Sequence, residues 1–287
     1  MEPLRIGIHA STAGALENAA LKAAELGANT LQIFSSSPRM WRASKPAPSD
    51  VRLFERAREK FDLTPLVIHV NYLINLATAD EGVRAKSIAS FRGELDRADM
   101  IGAEFLVLHP GNYKGRELGE GMAAFVDGFV EAAAGFAGKR VTVLLENTVG
   151  AGAQIGSRFE ELRVLRDLAQ PLSDVRIGYC LDTCHLLASG FDVAAEAGLA
   201  KTLEDADRIL GLDEVKAIHA NDSKGGLGSH LDRHENIGAG QIGEAGFRRI
   251  LTHPRLREKP FILETPSEDG AHRRDVDALK RLAQSGG

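Results

Sequence analysis

Asp232 and His234 stand two residues apart in the run DRHENIGAG. In an extended segment that spacing aims both side chains the same way, and a carboxylate beside an imidazole suits zinc. The pair lies in residues 215–240, VKAIHANDSKGGLGSHLDRHENIGAG. This stretch opens as a short apolar run at Val215, Ala217 and Ile218, reaches His219, and then turns polar and glycine-rich. Asn221, Asp222 and Ser223 have the chemistry of a turn. Gly225, Gly226 and Gly228 belong to a loop that bends sharply or passes close to a neighbour. A D-x-H on its own is only a pair of charges on a solvated loop, so its weight depends on the rest of the chain.

Six successive apolar runs finish on a potential ligand. Residues 65–69 end in His69, 105–109 in His109, 141–146 in Glu146, 175–182 in Asp182, 215–219 in His219 and 261–264 in Glu264. Carboxylates gathered in a buried place are very costly unless cations neutralise them. His185 follows Asp182 by three residues in LDTCHLLASG, so both face one way if a helical turn begins there. With Asp232 and His234 the set is five His, two Asp and two Glu. A structural zinc takes about four ligands and a catalytic zinc about three plus water, so the set fits about three zinc ions with one shared carboxylate. Zinc charge of about +6 against about −4 from the carboxylates leaves roughly +2, enough to attract a phosphodiester.

These residues need a scaffold that brings strand ends together. Strand-like runs at 4–9, 30–34, 65–69, 105–109, 141–146, 175–182, 215–219 and 261–264 alternate with helical periodicity. The helical stretches are 14–26, 51–61, 83–101, 121–136, 159–168, 193–210, the segment around 247–251, and 276–282. Apolar, non-alternating strands separated by amphipathic helices specify a parallel sheet covered by helices. Eight such units predict an α/β fold, the (β/α)8 TIM barrel, whose strand ends converge on one face. GxGxxG is absent from the first βα turn, against an open dinucleotide-binding sheet. No composition break divides the 287 residues, so one domain over 1–287 is expected.

A hydrophobic fraction of 44% and a charged fraction of 26% describe an ordinary globular protein. No run is long enough to span a bilayer, and no secretory signal pattern is present. Two cysteines, Cys180 and Cys184, build no disulfide framework and point to a reducing cytoplasm. The net charge of −5 means that any nucleic-acid face is local or supplied by metal.

GYCLDTCH, HANDSK with DRHENIGAG, LENTVGAG and HVNYLINLA together resemble the endonuclease IV family of abasic-site (AP) endonucleases. The resemblance runs from GIHAST near the start to FILETP near the end. It implies a TIM barrel holding three zinc ions that cuts DNA on the 5′ side of an abasic site, leaving a 3′-hydroxyl and a 5′-deoxyribose phosphate. It implies a first zinc on His69, His109 and Glu146, a second on Glu146, Asp182, His219 and Glu264, and a third on His185, Asp232 and His234. Glu146 and Glu264 are the acids on which turnover is expected to rest. Zinc would lower the pKa of a water towards ~7 and supply the nucleophile. Double-stranded DNA with abasic sites is the implied partner, met by a monomer.

The resemblance also implies that Arg39, with Tyr72 and Leu73, enters the DNA from the minor groove and fills the gap in the stack. Arg233, between two ligands, is the best placed of the cations that could meet phosphates, the others being Arg42, Lys45, Lys114, Arg116 and Lys224. His9 is either a supporting group or a packed core residue, and the two cysteines are buried structural thiols. Trp41 packs its loop, and His230, His253 and His272 are expected at the surface. Departures from the family pattern fall on Asn112, on Val70-Asn71 and on residues 149–152, and none removes a ligand. The rival reading is a xylose-isomerase-like sugar isomerase or epimerase. It would use Glu146, Asp182, His219 and Glu264 around one divalent metal and leave the remaining ligands idle.

Overall fold

The structure, a computed structural model, describes residues 4–41, 44–136, 138 and 140–284. Eight parallel strands close into a barrel: β1 (Ile6–Ala10), β2 (Thr30–Phe34), β3 (Leu66–His69), β4 (Phe105–Leu108), β5 (Thr142–Glu146), β6 (Arg176–Asp182), β7 (Val215–His219) and β10 (Phe261–Leu263). Each pairs with its sequence neighbour, and β10 closes the ring onto β1 through Ile6↔Phe261, Gly7↔Ile262 and Ile8↔Leu263. Two short strands, β8 (Asp222–Ser223) and β9 (His234–Glu235), form an antiparallel ribbon at the mouth. Asp222 and Ser223 therefore lie in a strand pair and not in the turn that their residue types imply.

The helices described are α1 (Glu17–Glu25), α2 (Pro48–Lys60), α3 (Glu81–Ile101), α4 (Leu118–Ala133), α5 (Phe159–Ala169), α6 (Thr183–Ser189), α7 (Glu196–Ile209), α8 (Gly243–Thr252) and α9 (Ala271–Gln284). Their ends follow local chemistry. Asp80 caps α3 by accepting from Val83 N at 2.9 Å, and Gly102, at φ 75°, stops it. Glu117 and Glu120 form a capping box at α4. The first helix starts at Glu17 and not at residue 14, because Gly14 sits at φ 84°, outside helical space.

Two apolar layers result. One lies between the strands and the outer helices and holds Phe54, Phe91, Phe129, Phe159 and Phe247. The other fills the barrel: Val67, Val107, Leu144, Cys180, Ala217 and Ile262 form a separate buried cluster inside the ring. Strand side chains alternate with period two. Two residues beyond these six stand His69, His109, Glu146, Asp182, His219 and Glu264. The same pleat that packs the interior thus places all six candidate ligands one storey higher, at the C-terminal mouth. Cys180 belongs to the storey below and fills volume there.

Candidate metal centre

Glu146 is the centre of the cluster and is wholly buried. Its Oε2 faces His109 Nε2 at 3.1 Å and His69 Nε2 at 3.3 Å. Its Oε1 faces His219 Nδ1 at 2.9 Å and His185 Nδ1 at 3.5 Å. Asp182 Oδ2 is 3.5 Å from His234 Nε2 and 4.0 Å from His219 Nδ1, and Glu264 Oε2 is 3.5 Å from His219 Nδ1. Asp232 Oδ1 lies 3.4 Å from His185 Nε2 and 3.7 Å from His234 Nε2. All nine side chains singled out by residue type are brought together. Ligand atoms within 4.8 Å of one another form the groups His69–His109–Glu146, Glu146–Asp182–His219–Glu264 and His185–Asp232–His234. Cys184 adds a further grouping with Asp182 and His234.

Local structure explains how the ligands arrive. Asp182 ends β6 and caps α6 by accepting from His185 N at 2.9 Å, so the helical turn starts where His185 must face the cluster. The ribbon β8–β9 carries Asp232 and His234 back over the mouth. Asp222 anchors it: Oδ2 accepts from Gly238 N at 3.0 Å, Gly240 N at 3.1 Å and Gly243 N at 3.2 Å, and Oδ1 from Ser223 N at 2.8 Å and Ile242 N at 2.9 Å. The glycines of NIGAG follow from this. Gly238 takes φ 85°, and a Cβ on Gly240 would stand 2.5 Å from Asp222 Oδ1.

The histidine tautomers are fixed by what the outward nitrogen meets. A carbonyl oxygen only accepts, so His69 Nδ1 donates to Val70 O (2.7 Å), His185 Nδ1 to Asn147 O (2.9 Å) and His234 Nδ1 to Glu264 O (3.2 Å). In its neutral form each ring then presents a bare Nε2 to the cluster. His234 Nε2 is buried without a hydrogen-bond partner. A bare imidazole nitrogen and a carboxylate oxygen 3.3 Å apart, as at His69 and Glu146, repel unless a proton or a cation lies between them. The donor set therefore fits divalent metal.

The electrostatics agree. Burial works to raise the pKa of Glu146 and Glu264, yet the surrounding imidazoles hold both well below the usual carboxylate range. Burial likewise opposes charge on His185, but Asp182, Asp232 and Glu146 push it up to about 10. His219 is also raised well above its ordinary value, against its burial, by Glu146 and Glu264. Burial lifts the thiols of Cys180 and Cys184 to about 12, and Cys184 Sγ is 3.8 Å from Arg233 O.

The cluster opens into a cavity of about 660 Å³ lined also by His9, Asn71, Tyr72, Asn112, Gln154 and His272. His272, expected at the surface, instead lines this cavity and meets Thr265 O at 2.9 Å, because α9 starts beside the mouth. His9 Nδ1 lies 3.2 Å from Glu264 Oε1 and 2.9 Å from Gln32 Nε2, which puts its ring beside the ligands. Tyr72 is 71% exposed and leans edge-on against Phe34, with ring centroids 5.1 Å apart. Leu73 is half-buried beside it, while Arg39 and Arg233 are exposed. Arg233 Nη1 donates to Asp232 O at 2.7 Å. Arg42 lies outside the described residues.

The departures build their own supports. Asn71 donates to Ser90 Oγ at 2.9 Å and accepts from Leu73 N at 3.0 Å, which ties the Tyr72–Leu73 tip to α3. Asn112 accepts from Lys114 N at 2.8 Å, as an Asx turn does, and pairs with Gln154. Supporting residues beyond the expected set are Gln32, Asn147 and Asn221. Asn221 Nδ2 donates to Asp182 Oδ2 at 2.6 Å, and its Oδ1 accepts from Glu264 N at 2.8 Å. Their signal in the sequence is adjacency: Asn147 follows Glu146, and Gln32 is a polar residue inside the apolar run TLQIF.

Among the described residues, no helix is long and apolar enough to cross a membrane. A family profile described as Xylose isomerase-like TIM barrel matches residues 20–282. A protein of Solibacter usitatus named "Probable endonuclease 4" is 59% identical over 283 residues, covering 98% of each chain. The crystal structure of endonuclease IV from Thermus thermophilus superposes with a TM-score of 0.87 at 37% identity, covering 98% of this chain and 100% of that one. A D-tagatose 3-epimerase-like protein shares the fold with a TM-score of 0.71 at 19% identity, covering 97% of each. Near-complete coverage at 59% identity places the chain, beyond the shared barrel, in the endonuclease IV family.

Proposed function

We propose that this protein is a zinc-dependent AP endonuclease that hydrolyses the DNA phosphodiester on the 5′ side of an abasic site, in base excision repair. It acts as one domain and one chain, in the cytoplasm, with three zinc ions held by His69, His109 and Glu146; by Glu146, Asp182, His219 and Glu264; and by His185, Asp232 and His234. The observation that carries this reading is the division of Glu146, with Oε2 turned to His69 and His109 and Oε1 turned to His219. Zinc in these groups supplies Lewis acidity at the phosphodiester and lowers the pKa of a water towards ~7.

The chain's own residues do the rest. Backbone carbonyls hold His69, His185 and His234 in the tautomers that leave their metal-facing nitrogens bare. Glu146 and Glu264 offset part of the positive charge that metal would bring to the centre. Tyr72, exposed at the cavity rim with its ring braced on Phe34, is the aromatic surface for the gap left by a missing base. Leu73 fills beside it, and Arg39 and Arg233 meet phosphates. The isomerase reading employs one of the three groups and gives no work to His69 with His109, or to His185, Asp232 and His234.

The test is to load purified protein with zinc, measure the bound metal, and incubate it with a duplex carrying one abasic analogue, with and without chelator. Three zinc ions per chain and a chelator-sensitive cut 5′ to the lesion are expected. A single bound ion with an uncut duplex would overturn the proposal in favour of a sugar isomerase.

A further inference from the structure

Gln32 lies in the middle of β2, fully buried, inside the barrel and beside the cluster. One end of its amide is 2.5 Å from Glu264 Oε1 and 2.9 Å from His9 Nδ1. The other end is 2.8 Å from His219 Nε2. A carboxylate oxygen only accepts, so the end against Glu264 must be the NH2, and the end against His219 must be Oε1. His219 Nε2 therefore carries the proton, and its bare nitrogen is Nδ1, the atom facing Glu146, Asp182 and Glu264. The same amide holds Glu264 by Oε1 and so leaves Oε2 turned towards that point. His69, His185 and His234 are set by backbone carbonyls, whereas His219 is set by a side chain, which can be replaced.

We infer that Gln32 is a positioning residue that selects the Nδ1-bare form of His219 and the rotamer of Glu264, and thereby sets zinc affinity at the Glu146–Asp182–His219–Glu264 group. The inference rests on the metal reading proposed above. Groups that orient a metal ligand are worth about 10- to 100-fold in metal affinity.

The experiment uses the zinc-loaded full chain. Zinc dissociation constants come from competition with a chromophoric chelator, and side-chain ¹⁵N–¹H spectra report which His219 nitrogen carries the proton. Gln32→Met is expected to weaken one of three zinc ions by about 10- to 100-fold and to disturb the His219 pattern, with the other two ions unchanged. Gln32→Glu, which keeps an acceptor for His219 but loses the NH2 that donates to Glu264, should restore the His219 pattern and not the Glu264 contact. A role in packing alone would leave the pattern alike in wild type and both variants. Wild-type spectra with the proton on Nδ1, or a Gln32→Met chain that binds three zinc ions as tightly as wild type, would overturn the inference. Should Gln32→Met fail to fold, Gln32→Ala admits a water in its place, and the wild-type spectrum decides without any variant. A wild type that binds fewer than three zinc ions refutes the metal reading instead, and the inference falls with it.

Discussion

Asp222→Asn is nearly isosteric, and its cost can be worked from five hydrogen bonds. The carboxylate accepts from Ser223 and Ile242 on one oxygen and from Gly238, Gly240 and Gly243 on the other. Two of these donors, Ile242 and Gly243, are amides at the start of α8, with no carbonyl one turn back to satisfy them. An asparagine must turn its NH2 towards one set. Facing Ser223 and Ile242, it orphans two buried amides. Facing the glycines, it orphans three that are partly exposed. At about 1–3 kcal/mol for each buried donor left unpaired, the loss is roughly 2–6 kcal/mol, out of a total stability of roughly 5–15 kcal/mol. At about 2 °C per kcal/mol for a chain of this size, Tm should fall by roughly 4–12 °C. Calorimetry gives the Tm, and amide exchange shows whether Gly238, Gly240 and Ile242 lose protection. Because His234 and Asp232 ride on this ribbon, zinc at the His185 group should weaken as well. An Asp222→Asn protein that melts within about 1 °C of wild type, with those amides still protected, would refute the account of how the ribbon is held.

Glu146→Gln should fold yet lose zinc at the two groups that share Glu146, and turnover should fall by more than the roughly 100-fold due to a lost supporting contact; metal analysis and abasic-duplex cleavage check both. The thiols of Cys180 and Cys184, buried and lifted to about 12, should resist iodoacetamide at pH 8 in the native protein and react at both positions once it is denatured, as read by mass spectrometry. The metal-free protein should lose stability as pH rises. His185 has a folded pKa of about 10 against 6.5 unfolded, so its contribution is complete below 6.5 and lost as pH passes through about 10. Chelator-treated samples melted between pH 6.5 and pH 10 should show a falling Tm, and a flat or rising profile would contradict the assignment.

The barrel and the nine ligand-type residues were legible because strand geometry turns a sequence rule into a spatial one. A run that ends on His, Asp or Glu two residues past an inward apolar residue puts that group at the mouth, whichever strand it comes from. The spacing of Asp182 and His185 was legible for a similar reason, since a capping aspartate announces its own helix. Asp222 was hidden. HANDS carries turn chemistry, and nothing local says that its carboxylate will meet amides 16 to 21 residues later. Gln32 was hidden in part: a polar residue inside an apolar strand marks an interior partner without saying which. His272 was misplaced because its exposure depends on where α9 begins relative to the mouth, a tertiary fact that helical periodicity does not encode.

With an acidic total charge, a DNA substrate must be met by local cations or by the charge of the centre. Among the described residues that line the main cavity, there is no Lys or Arg; its ionisable side chains are histidines, Tyr72, Asp232 and Glu264, with Glu146 and Asp182 buried beneath. A phosphate approaching this surface without metal meets carboxylates whose charge is balanced only by protons on imidazole. Loss of metal should therefore weaken recognition of the lesion as well as stop cleavage, leaving the gap-filling contact of Tyr72 and Leu73 and the non-specific, salt-sensitive contact of the exposed Arg39 and Arg233 with the backbone. Binding of an abasic duplex by chelator-treated protein, compared with an undamaged duplex over a range of salt, measures this. Undiminished preference for the abasic duplex without metal would mean that the wedge residues, and not the cations, carry recognition.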